Sequence, residues 1–154
     1  MLNISILNSF TMKEKTKIED VLKYENDKVI SIFLRNNNIS KIEANEIFSE
    51  TLKWLYLCYK AGDKINLSIT SELHIIDEMW HSFIICTLDY EIFCHSYFNQ
   101  FIHHEPNVNT NSNANNEDII KNNLKIELEF IYDNLGEETF YKWFYTYPEK
   151  YGME

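Results

Sequence analysis

The sequence contains very little glycine and proline, with only three and two residues among its 154. Turn-rich all-β folds need both residue types at their frequent chain reversals, so this scarcity favours helices joined by polar loops. A chain of this length is expected to form a single domain, residues 1–154. Because 45% of its residues are hydrophobic, it has enough apolar side chains for a core. We therefore expect an all-α protein.

Basic residues are also scarce. The chain has 14 Lys and Arg against 24 Asp and Glu, which gives a formal net charge of −10. Affinity for nucleic acid comes mainly from Lys and Arg that neutralise phosphates, so the sequence predicts no nucleic-acid partner. An acidic surface suits a basic protein or peptide as the partner, although acidity alone specifies neither the partner nor an oligomeric state.

Signals for membrane insertion or export are missing as well. No apolar run approaches the ~18 residues that span a bilayer. The start MLNISILNSFTMKEK lacks a basic region and a small-residue cleavage site, so no signal peptide is predicted, and Met12 is an alternative natural start to Met1. The three cysteines do not complete a disulfide framework. These absences predict a cytoplasmic protein without a membrane partner.

Helix signals, by contrast, are frequent. Ser40 and Glu43 form a capping box at the start of the clearest amphipathic helix, and Gly62 is its expected end. Thr70 or Ser71 is expected to cap a later helix. Further helices are predicted at residues 17–34 with a candidate break at 25–27, at 118–134, and at 137–147 after Gly136.

A small bundle of about five to six helices follows from this pattern. Residues 71–98 predict a helical hairpin at its centre that turns between Cys86 and Tyr90, because helical spacing is interrupted weakly at residues 87–89 and then resumes. The leader, residues 1–15, and the Asn-rich loop, residues 107–117, are expected to stay outside the packed bundle.

The histidines are concentrated in one stretch, since all five lie between positions 74 and 104: His74, His81, His95, His103 and His104. Asp77 and His81 lie one turn apart and share a helix face. A turn near Leu88 brings His81 close to Cys94 on the returning helix, and the FIHHEP segment can fold back towards them. A set drawn from these side chains has ligand types suited to zinc or iron. The candidate metal ligands are Asp77, His81, Cys94, His103 and His104.

Two functional interpretations remain open at this point. In the first, DxxWH and FxHHxP build the His/Asp/Cys site of a metal-binding protein or metal-dependent accessory enzyme. In the second, the same motif is a structural staple in a non-catalytic, acidic interaction module, in which Asp77 and His81 bond to each other and Cys94 packs inertly. The flanking aromatic residues Trp80, Tyr90 and Phe93 are expected in the core. No GxSxG, phosphate-binding Gly-rich loop or HExxH motif is present, so no reaction is indicated.

The run IDEMWHSFIICTLDYEIFCHSYFNQFIHHEP resembles the core signature of the glycine-rich domain-containing protein-like family, which is also found as small stand-alone bacterial proteins. That family's glycine-rich tail is absent here. Asn99 replaces a glycine of the pattern, and because Asn tolerates a left-handed backbone the helix end is expected to survive. Phe83 stands where some members have a second histidine. The resemblance implies a motif and no particular reaction. The matching positions are Ile76, Asp77, Trp80, His81, Phe83, Thr87, Tyr90, Phe93, Cys94, Phe98, His103, His104 and Pro106.

Overall fold

A computed structural model describes residues 15–105 and 117–152, and within these ranges the protein is a small all-α bundle without strands. The predicted fold class is thereby confirmed. The expected leader and the Asn-rich loop lie outside the described residues, apart from Lys15 and Glu117. A 3₁₀ turn, Ser71–Leu73, leads into the fourth helix, and a π-helical segment, Lys142–Thr146, precedes the last. The helices are α1 (Ile18–Val21), α2 (Asp27–Asn36), α3 (Lys41–Ala61), α4 (His74–Ile85), α5 (Thr87–Phe98), α6 (Glu117–Tyr141) and α7 (Tyr147–Tyr151).

Helix α3 is the central element, since it packs against α1, α2, α4 and α6. It begins as the sequence predicted: the Ser40 hydroxyl accepts a hydrogen bond from the Glu43 amide at 3.1 Å. This bond satisfies one of the backbone donors that a helix start leaves free. The helix ends at Gly62, whose φ of 53° favours glycine.

Two predicted breaks are confirmed. Asn26 separates α1 from α2, and its side-chain oxygen accepts bonds from the first backbone amides of α2. Gly136 adopts φ 83° and ψ 174°, which interrupts α6 where two helices were expected. The predicted cap by Thr70 or Ser71 is wrong, because a 3₁₀ turn precedes α4, the cap residue of α4 is Leu73, and Thr70 makes no side-chain capping bond. The final helical stretch also runs beyond the predicted residue 147, to Tyr151.

The two helices predicted for the central hairpin are present, and the break between them lies at the first residue of the predicted turn between Cys86 and Tyr90. It falls at Cys86, with ψ 66°, and residues 87–89 form the first turn of α5. Asp89 favours a helix start at this point, because an acidic side chain in a first turn stabilises the helix start. Its carboxylate also accepts bonds from Asn26 Nδ2 at 3.0 Å and Lys28 Nζ at 2.9 Å.

Aromatic side chains form the contact between α4 and α5. The Phe83 ring lies 5.0 Å from the Tyr90 ring and 5.1 Å from the Phe93 ring. As predicted, Trp80, Tyr90 and Phe93 are buried. Burial of each such side chain stabilises the folded state by ~1.5–3 kcal/mol. This contact therefore fixes the position of α4, which carries the candidate site. Among the residues that the structure describes, no helix combines the length and apolarity that a bilayer crossing requires.

Candidate metal centre

Three of the predicted ligands meet at the surface of α4. Asp77 and His81 lie one turn apart on that helix, with 3.7 Å between Asp77 Oδ1 and His81 Nε2. His104 Nε2 comes within 2.5 Å of the same carboxylate oxygen. One ligand atom from each residue can be chosen so that all three lie within 4.8 Å of one another. Among the described residues, the His, Cys, Asp and Glu side chains that come together in this way, three or more at a time, are those of this group.

His104 reaches α4 because the chain reverses after α5. Asn99 adopts the left-handed conformation at φ 55° and ends the helix, as expected from its tolerance of this backbone. The following residues, 101–105, are not helical. Ile102 buries its side chain in the core, and its carbonyl accepts a hydrogen bond from the Tyr90 hydroxyl at 2.5 Å. This bond holds the segment that carries His104.

The three side chains differ strongly in exposure. The His104 side chain is only 15% exposed, because its ring lies 4.1 Å from the Trp80 ring and 4.6 Å from the His81 ring. Asp77 is 24% exposed and His81 is 55% exposed. The group is therefore packed against the protein on the His104 side and open to solvent on the His81 side.

Cys94 does not belong to this group. It is fully buried on α5, and its thiol lies against the Tyr90 hydroxyl and the backbone of Ile102. Burial raises the pKa of the Cys94 thiol, which opposes formation of the thiolate that binds metals. Because α5 begins immediately after Cys86, Cys94 lies one turn after Tyr90 on the same buried face of the helix. The expected approach of Cys94 to His81 is not observed among the described contacts.

The remaining histidines also lie apart from the group. His103 is exposed, and its ring contacts Phe101 with 4.8 Å between centroids. His74 pairs with Glu78 at 3.3 Å, and His95 is exposed. Of the five ligands predicted from the sequence, the structure thus brings together Asp77, His81 and His104.

Sequence reasoning missed the polar role of two buried aromatic residues. Trp80 Nε1 donates to the Tyr90 hydroxyl at 3.0 Å, and that hydroxyl donates in turn to Ile102. Burial raises the pKa of Tyr90, so its proton is retained for this bond. A chemical signal was available, because buried Trp N–H and Tyr O–H groups usually have hydrogen-bond partners. Since Trp80 and Tyr90 were both expected in the core, each needed such a partner nearby.

A cleft of about 480 Å³ borders one side of the centre. Its lining includes Trp54, Trp80, His104 and residues 65–69. His104 is the one member of the group of three that contributes to this lining. The volume lies within the range of small-molecule sites, and the cleft is therefore a space next to the centre in which a ligand can be accommodated.

No curated protein and no solved structure matches the chain. A family model described as UCP032817-like matches residues 9–134, which is most of the sequence. This match corrects the interpretation of the central motif as that of the glycine-rich domain-containing protein-like family. The family description names no activity. The chain belongs to the UCP032817-like family.

Proposed function

We propose that the protein binds one divalent transition-metal ion, zinc or iron, through Asp77, His81 and His104. The observation that supports this proposal is the gathering of one carboxylate and two imidazole ligand atoms within 4.8 Å. Two histidines and one carboxylate form catalytic zinc sites and the facial triad of non-haem iron proteins. Three protein ligands leave at least one coordination position for water or a substrate.

The geometry requires only a small adjustment for metal binding. Ligand atoms held at ~2.0–2.1 Å from a tetrahedral zinc lie about 3.3 Å from one another. Asp77 Oδ1 is 2.5 Å from His104 Nε2 and 3.7 Å from His81 Nε2. The ion would replace the proton between Asp77 and His104, and these two distances would each change by less than about 1 Å. Because imidazole binds metal in its neutral form, affinity is expected to fall as the pH decreases.

The exposure of His81 bears on what such a site would do. A metal ion held on this open side remains accessible to water and to solutes, which is the arrangement of catalytic rather than closed structural sites. When bound, the ion would supply Lewis acidity and lower the pKa of a coordinated water. The residues of this chain would hold and orient it. We therefore favour a metal-dependent accessory enzyme over a purely structural metal site.

A specific contact favours a second candidate function. The half-buried His104 imidazole already bonds to Asp77 at 2.5 Å, and this bond ties residues 101–105 to α4 without a metal. In that case the motif is a structural staple, and the acidic protein, with its net charge of −10, is an interaction module for a basic protein or peptide. The two candidates differ in whether His81 is required as a ligand, because the Asp77–His104 bond of the staple does not include the His81 side chain.

The test uses protein purified without a His tag, stripped of metal and then reconstituted with zinc or iron under reducing conditions. We expect close to one equivalent of metal per chain by elemental analysis. His81→Ala should abolish stoichiometric binding without loss of helix content, because this side chain is 55% exposed. His103→Ala is the matched control, since it removes an exposed imidazole next to His104 and should retain the metal.

Two results would contradict metal binding at the proposed site. One is a content below about a tenth of an equivalent for zinc, iron, copper and manganese after reconstitution of the wild-type protein. The other is equal metal content in the wild type and the His81→Ala variant. The staple alone predicts both results, together with a loss of stability in His104→Ala.

A further inference from the structure

We infer that Tyr90 and Trp80 act as positioning residues that fix the direction of His104 for metal binding. This inference rests on the proposed function. Asp77 and His81 take their directions from one rigid helix, α4. His104 lies in a segment without regular structure, so its direction depends on the contacts that residues 101–105 make with the rest of the protein.

The first contact fixes the backbone next to His104. The Tyr90 hydroxyl donates to the Ile102 carbonyl at 2.5 Å, and Ile102 stands two residues before His104. Tyr90 is 1% exposed and Ile102 is 6% exposed, so water does not readily replace this bond. Cys94 lies against the same hydroxyl and the same backbone, which explains its place in the buried network rather than in the ligand group.

The second contact fixes the imidazole plane. The Trp80 ring lies 4.1 Å from the His104 ring at an interplanar angle of 31°. The indole is itself held by the bond from Nε1 to the Tyr90 hydroxyl at 3.0 Å. The Tyr90 hydroxyl therefore links both contacts. It accepts a hydrogen bond from Trp80, whose ring contacts the imidazole, and it donates one to the backbone of the segment that carries His104.

Partners outside the ligand shell of a metal site commonly change metal affinity by ~10–100-fold when they are removed. Tyr90→Phe removes one oxygen, releases the Ile102 carbonyl and leaves the Trp80 N–H without its acceptor. We expect zinc to bind this variant about 10-fold more weakly than the wild type. The visible absorption spectrum of the cobalt-substituted protein should also change, because it reports ligand geometry rather than stability.

The matched control is Tyr151→Phe. The Tyr151 hydroxyl donates to Glu43 at 2.7 Å, so this variant loses a comparable bond that does not involve residues 101–105. Its zinc affinity and cobalt spectrum should equal those of the wild type. Trp80→Phe provides a second variant, since it keeps a ring beneath His104. It should retain more zinc affinity than Trp80→Ala if the ring in contact with His104 orients the imidazole.

The outcomes separate this inference from the proposed function. If the wild type binds zinc and Tyr90→Phe has the same affinity and cobalt spectrum, the positioning role is refuted and the metal site stands. If the wild type binds no metal, the proposed function fails, and NMR of the metal-free protein decides about positioning. There the His104 ring protons should carry a ring-current shift from Trp80 that changes in Tyr90→Phe, and unchanged shifts would overturn the inference.

Discussion

Glu50 provides the sharpest test of how the C-terminal part of the chain is held to α3. Its side chain is only 5% exposed, and its two oxygens accept bonds from Lys53 Nζ at 2.9 Å, Lys142 Nζ at 3.2 Å and Trp143 Nε1 at 2.7 Å. Glu50→Ala removes the acceptor for all three donors. Two ammonium groups then lose their carboxylate, and a fully buried indole N–H loses its partner. Removing one partner of a buried ion pair costs ~3–5 kcal/mol, and this range is an upper limit for Glu50→Ala because Lys53 and Lys142 are partly exposed.

Urea and thermal denaturation measure this cost directly. For a protein of this size, ~3–5 kcal/mol corresponds to a decrease in Tm of about 6–20 °C. Glu50→Gln keeps an acceptor for Trp143 and should cost less, about 1–3 kcal/mol. Glu46→Ala is the matched control, because Glu46 is exposed one turn earlier on the same helix and should change stability by less than ~0.5 kcal/mol. If Glu50→Ala costs no more than Glu46→Ala, the buried Glu50 carboxylate does not hold the C-terminal part of the chain to α3.

Trp80→Ala is expected to lower the free energy of unfolding by ~3–5 kcal/mol in urea denaturation, since Trp80 is 4% exposed and its removal leaves a cavity; near-wild-type stability would place the indole at a ligand surface instead. In metal-free protein, His104→Ala should lower the free energy of unfolding by ~1–3 kcal/mol, because it removes the closest partner of the Asp77 carboxylate. The control His103→Ala removes an exposed side chain and should lower it by less than ~0.5 kcal/mol. Equal losses in the two variants would contradict the bond between Asp77 and His104. Hydrogen bonds from Lys150 and Tyr151 lower the pKa of the Glu43 carboxyl group from 4.5 to about 2. A lowered carboxyl pKa contributes stability above pH 4.5 that is lost as the pH falls towards 2. The Tm of Glu43→Gln should therefore depend less on pH in that window than the Tm of the wild type. Identical pH profiles of the two proteins would count against the hydrogen bonds to Glu43.

Short-range signals allowed much of the fold to be predicted from the sequence. The bond between Ser40 and Glu43 joins residues three positions apart, and the backbone conformations at Asn99 and Gly136 follow from the residue types themselves. Helical spacing likewise placed Asp77 and His81 on one face. Such features need no knowledge of distant parts of the chain.

Long-range contacts decided the rest of the site. The sequence suggested that Asp77 bonds to His81, but its closer partner is His104, 27 residues away. This pairing depends on how Ile102 docks beneath Tyr90, and no periodicity in the sequence encodes that contact. For the same reason the hydrophobic pattern of α3 gave no indication that Glu50 is buried, since its partner Lys142 lies 92 residues away.

The central claim is that a metal ion takes its protein ligands from Asp77, His81 and His104. X-ray absorption spectroscopy of the zinc-loaded, untagged protein tests it most directly, because the zinc edge reports the type and distance of the ligand atoms. We expect nitrogen and oxygen ligands at ~2.0–2.1 Å, including two imidazoles, and no sulfur. A sulfur ligand at ~2.3 Å would place Cys94 or another cysteine at the metal, and that result would contradict the site described above.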